Sequence, residues 1–198
     1  MIGGTVTEVL SVVLAPAVAR RRDEWFKELA DALDEVERKV EGFKVGNLQH
    51  NEIFVSAVIQ ATRTALGTHQ QEKLTALRNA VLNTALNKIL DDDKQVVFWS
   101  LIEVLSGTHL VLLDLFNNRG GFSHERRLAL MQRRALTDPM IIELASRGLL
   151  NDPRPYVARG RDSEDSLIRQ EWTLTLLGKE FLSFMPGSSQ KKQVTKTK

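Results

Sequence analysis

The sequence predicts a mainly α protein, and three observations carry that expectation. Leu, Ala, Val, Glu, Lys and Arg dominate the chain, while five Pro and twelve Gly are spread thinly enough to leave long segments free for helix. Apolar residues in the first half recur at steps of three and four. Helix starts and stops stand between these runs, at Asn51, Ser123 and Asp138-Pro139 on one side and Gly67 and Gly148 on the other. With 42% hydrophobic residues in 198, the chain can bury a real core in one domain or two small ones.

The first 22 residues form an apolar N-terminal segment. Residues 6–18 are mostly apolar and are followed by Arg20, Arg21 and Arg22. The run is too short to span a bilayer. A signal peptide would place its charge before the apolar run, and Glu8 and Pro16 interrupt this one. Two readings stay open: a helix packed on this chain or on a partner, and an anchor at a membrane surface through residues 6–22 with arginines at the headgroups.

Residues 23–95 read as a helical bundle. Phe26, Leu29, Leu33, Val36 and Val40 repeat at steps of three, four, three and four, an a/d stripe over an otherwise charged helix that Gly42 and Gly46 close. The stripe suits either the chain's own core or a homodimer seam. A second helix is expected over 51–66, with Ile53, Phe54, Ala57, Val58, Ala61 and Ala65 inward. Thr68 and Gln71 have capping-box spacing for a third that runs to about Leu90. Asp91, Asp92 and Asp93 precede the apolar run 96–99, where a helix N-terminus attracts negative charge, and no further oxygen ligands follow at calcium-loop spacing.

In residues 96–186 a short apolar helix over 110–116 is followed by a helix from Ser123 to about Ala135 and a third from Asp138-Pro139 to Arg147, capped by Gly148. Two strands, 156–158 and 167–174, are expected around the polar tip 159–166, with Ile168, Gln170, Trp172 and Leu174 on one face. A last helix over 175–185 stops at Pro186, and 187–198 is a basic tail expected to be disordered. Three helices, a two-stranded wing and a closing helix are the order of a winged helix.

The residues Leu144-Ala145-Ser146-Arg147-Gly148-Leu149-Leu150, the charged wing and Leu174-Thr175-Leu176-Leu177-Gly178 resemble the third helix, wing and exit of multiple-antibiotic-resistance-type regulators, over about residues 100–185. The layout of the first half is similar to that of uncharacterised bacterial proteins of the abortive-infection alpha type. The first resemblance implies DNA reading by the third helix. That helix departs from the pattern, because it carries Asp138, Glu143 and Arg147 and no Asn, Gln or Lys for base edges. The basic residues lie elsewhere, at Arg119, Arg126, Arg127, Arg133, Arg134, Arg154, Arg159 and Arg161, as a solvated face or a grip on phosphate.

Net charge is only +2, and Lys191, Lys192, Lys196 and Lys198 in the tail account for more than that excess, which is unlike a strongly basic nucleic-acid binder. The absence of cysteine excludes disulfides, thiolate metal sites and cysteine nucleophiles, and fits the cytoplasm. His50, His69, His109 and His124 stand in no ligand or nucleophile motif, and each is expected to have a surface or capping role. No phosphate loop, dinucleotide fingerprint or nucleophile elbow occurs, so no enzyme, cofactor or metal is expected. The leading expectation is a bacterial interaction protein whose winged helix docks a protein partner. A DNA-binding transcriptional regulator is the alternative, and a membrane-associated phage-defence component the third.

Overall fold

The computed structural model of the chain describes residues 6–86, 92–118, 121–153, 167–169 and 171–185. They are mainly helical, with one small antiparallel sheet of two strands. The helices are α1 (Val6–Lys39), α2 (Glu52–Leu66), α3 (Gln71–Ala85), α4 (Asp92–Val104), α5 (Gly107–Asn117), α6 (His124–Gln132), α7 (Arg134–Ser146) and α8 (Leu176–Phe184). The strands are β1 (Leu150–Asn151) and β2 (Thr173–Leu174). Two compact units result, one of Met1–His69 with Leu77–Trp99, the other of Gln70–Ala76 with Ser100–Lys198.

In the first unit the N-terminal segment and the striped helix, expected as separate pieces, are one helix with Pro16 inside it. Proline removes one N–H from the ladder, leaving the Val12 carbonyl without its usual donor. Val12 is 74% exposed, so water can serve that carbonyl. The second half of α1 packs antiparallel to α2: Arg21 donates to the Leu66 carbonyl at 3.2 Å and Trp25 Nε1 to Thr62 Oγ1 at 3.0 Å. On α2 the buried face is Ala57, Ala61 and Ala65, four residues apart and small enough for close approach. Asn51 caps α2 by accepting the Phe54 N–H at 3.1 Å. Helix α3 starts later than the Thr68–Gln71 spacing predicts: the Gln70 carbonyl takes the Leu74 N–H, and the helix is described to Ala85, while its expected end near Leu90 lies outside the described residues.

In the second unit Leu112, Leu113, Ile141, Leu144, Trp172 and Phe181 are buried almost completely. The sheet lies closer to α7 than expected. Leu150 pairs with Leu174 and Asn151 with Thr173, leucines inward and polar residues outward, as the pleat requires. Among the described residues of the expected second strand, Thr173–Leu174 form β2 and Leu167–Arg169 is a 3-10 turn. The other expected strand, 156–158, and the tip lie outside the described residues.

Two helix boundaries also move. Helix α6 stops at Gln132, and α7 begins at Arg134, a turn ahead of Asp138-Pro139, with Pro139 inside it. Asp138 is therefore not the cap. Its carboxylate instead accepts the Leu167 N–H at 3.0 Å, a tertiary tie between α7 and the 3-10 turn. Thr137 is fully buried and donates to the Leu130 and Arg133 carbonyls across the α6–α7 junction. Gly148 has φ +73° and ends α7 in the left-handed conformation, as expected.

Candidate functional site

The start of α5 organises the polar centre of the second unit. Ser106 precedes the helix, and His109 turns back so that Nδ1 accepts the Ser106 backbone N–H at 3.2 Å and lies 2.8 Å from Ser106 Oγ. An accepting Nδ1 leaves the ring proton on Nε2. Nε2 approaches Glu143 Oε2 of α7 at 3.3 Å, within ion-pair range but without hydrogen-bond alignment. Glu143 Oε1 in turn accepts from Arg147 Nε at 3.0 Å and Nη2 at 2.8 Å, one helical turn on. Beside them Lys73 of α3 donates to the Glu103 carbonyl at 2.7 Å, and Gln70 accepts the Gly107 N–H at 2.7 Å.

Burial holds the His109 pKa below its ordinary value, opposed by Glu143 and reinforced more weakly by the charges of Arg147 and Lys73. Burial likewise lowers Lys73 against the pull of Glu103. The Arg147 fork is the main reason Glu143 lies below the usual carboxylate range. A lowered histidine makes the folded state bind fewer protons than the unfolded one once pH drops below about 6.5. Stability is therefore full above that pH and falls as pH drops toward the folded value. His109→Gln keeps a donor and an acceptor but cannot charge. Denaturation curves at several pH values should show a shallower loss below about 6.5 for the variant; equal slopes would mean that His109 does not contribute.

The α6 and α7 surface is less basic than its arginine count suggests. Arg126, Arg133 and Arg134 are exposed and Arg127 is half-exposed. The Arg126 guanidinium lies 4.7 Å from the Phe122 ring centroid, and Arg134 Nε is 3.8 Å from Asp138 Oδ2. Arg119, Arg154, Arg159 and Arg161 lie outside the described residues. On α7, exposed Ala135, Pro139, Ile142 and Ser146 recur at steps of four, three and four and form its outward face. Leu128 of α6 and Leu136 and Ile142 of α7 are each more than two-fifths exposed.

The α1 stripe divides. Leu29 and Leu33 are buried in their own chain, Val36 is half-buried, and Phe26 and Val40 are exposed. The buried partner one turn before Leu29 is Trp25, at 3% exposure, a residue outside the predicted stripe. A charge placed at Leu33 would therefore test folding before assembly. Of the surface or capping role expected for His109, the capping half holds and the surface half does not, since the residue is buried; its approach to Glu143 has no signal in the sequence.

Among the described residues, no three His, Asp or Glu side chains come together to hold a metal ion. No single helix there is long and apolar enough to cross a membrane. Comparison with protein-family models finds no match, and neither curated proteins nor solved structures yield one.

Proposed function

We propose that residues 96–186 act as a winged helix that docks a protein partner, with α6 and α7 as the docking surface. The order α5, α6, α7, β1, β2, α8, with β1 and β2 antiparallel on either side of the charged segment 154–166, supports that reading of the fold. The observation that carries the choice of partner is the outward face of α7. A helix that reads DNA needs long donors and acceptors there, whereas this one exposes Ala135, Pro139, Ile142 and Ser146. Its Glu143 and Arg147 hold each other, and Asp138 holds Leu167. A mostly apolar face on α7, with exposed Arg126 on α6 and Arg133 at the junction of the two helices, suits a partner segment that is apolar in its centre and acidic at its edges.

Fluorescence anisotropy with generic duplex DNA, titrated with salt, tests this against the regulator reading. The expected result is no salt-sensitive affinity attributable to the arginines of α6 and α7. A steep salt slope that flattens by up to about four units when Arg126, Arg127, Arg133 and Arg134 are all changed to Gln would overturn protein docking as the role of this surface.

A further inference from the structure

We infer that the first half of α1 inserts into one leaflet of an anionic lipid bilayer, a function separate from the docking surface of α6 and α7. Among the described residues of this segment, four large apolar ones are more than half exposed: Leu10 at 51%, Val12 at 74%, Val13 at 62% and Leu14 at 54%. Val18 follows at 44%. Successive helix positions are about 100° apart, so Leu10, Val12, Val13 and Leu14 point to different sides of the helix. This geometry decides the occupant. A second helix, from another copy or another protein, covers one stripe and leaves the other sides wet, whereas hydrocarbon covers all of them.

Length and charge agree with that occupant. From Leu10 to Ala19 the helix rises roughly 15 Å, about one leaflet of the ~30 Å hydrocarbon core, while Glu8 in the sequence ahead of it opposes deeper insertion, since a charged side chain is costly in hydrocarbon. Arg20, Arg21 and Arg22 come next and are all exposed, at the level where phosphate headgroups would meet them. Arg20 lies 3.8 Å from Glu24 and Arg22 3.2 Å from Asp23, exposed pairs that are weak in water and readily exchanged for phosphate. Arg21 donates to the Leu66 carbonyl, which ties this basic turn to α2. Trp25 begins the buried face one turn later. The same helix thus passes from lipid-facing to core-facing across the three arginines.

Because the chain contains no cysteine, Val12→Cys creates a unique labelling site for an environment-sensitive dye. The full-length protein should co-sediment with phosphatidylcholine vesicles containing phosphatidylglycerol, and the dye emission should shift to the blue only when vesicles are present. A dye at Ile59→Cys, 57% exposed on α2, should not respond. Val13→Glu with Leu14→Glu should abolish sedimentation without changing the far-UV circular dichroism melt, since both side chains are exposed. Changing the three arginines to Gln should weaken binding to the anionic vesicles by roughly ten- to a hundredfold. Failure to sediment, or sedimentation that survives the two glutamates, overturns the inference. So does a lipid-free blue shift accompanied by dimers in light scattering, which would assign the segment to a second copy.

Discussion

Replacing Trp172 with alanine is expected to destabilise the protein by about 4 kcal/mol, among the larger effects a single core truncation produces. The side chain is 1% exposed and packs against Phe116, with ring centroids 6.5 Å apart and planes tilted by 47°. Its Nε1 donates to the Leu167 carbonyl at 3.0 Å. Trp172 therefore fixes the 3-10 turn and fills the space beneath β2 at once. Trp172→Phe separates the two roles: most of the apolar volume remains, the donor to Leu167 is gone, and a loss of about 1–3 kcal/mol is expected for the unsatisfied acceptor and the smaller ring. Urea denaturation followed by far-UV circular dichroism measures both. A shift below about 1 kcal/mol for the alanine variant would mean that the core does not close around this residue.

Gly178→Ala should cost about 3 kcal/mol, although alanine is the better helix former by up to about 1 kcal/mol. The two effects oppose each other, and the contact geometry decides which wins. A Cβ at Gly178 would lie 2.2 Å from the Leu149 carbonyl oxygen and 3.1 Å from its carbon, so the obstacle is backbone rather than a side-chain end that could swing away. Gly148→Ala provides the contrast. Its nearest neighbour is 3.9 Å away, and the cost there is the left-handed φ of +73°, about 1–2 kcal/mol. Thermal melts of the two variants should therefore rank Gly178→Ala well below Gly148→Ala. A neutral or stabilising Gly178→Ala would show that α8 does not rest on the Leu149 backbone.

Local signals made much of the helical layout legible. Asn51 accepts the N–H three residues on, and Gly148 takes the left-handed φ that β-carbon-bearing residues resist, because each effect acts within one turn. Leu29 and Leu33 were legible as an inward pair for the same reason. Trp25 was not, since Trp25 and Phe26 both fit a three-four repeat ending at Leu29, and only α2, with Thr62 waiting for the indole N–H, selects between them. Asp138-Pro139 misled because a local start signal was engaged elsewhere: the carboxylate serves Leu167, 29 residues away. The His109–Glu143 contact joins α5 to α7, and no periodicity within either helix could show it. Exposure of Pro139 and Ile142 on α7 likewise emerges only once Ile141 and Leu144 are seen to take the inner side.

The Thr175 hydroxyl, which donates to the Gly148 carbonyl and accepts the Gly178 N–H, has a consequence for the order in which the second unit is built. It joins the end of α7 to the start of α8 across 27 positions of sequence, whereas α6 and α7 meet across a single residue, Arg133. Confining the long intervening segment costs chain entropy before α8 has a surface to rest on. Helices α6 and α7 are thus expected to form first, and α8 to dock onto Leu149 after the main folding barrier. Contacts made by α8 then act mainly as a brake on unfolding and do little to speed folding.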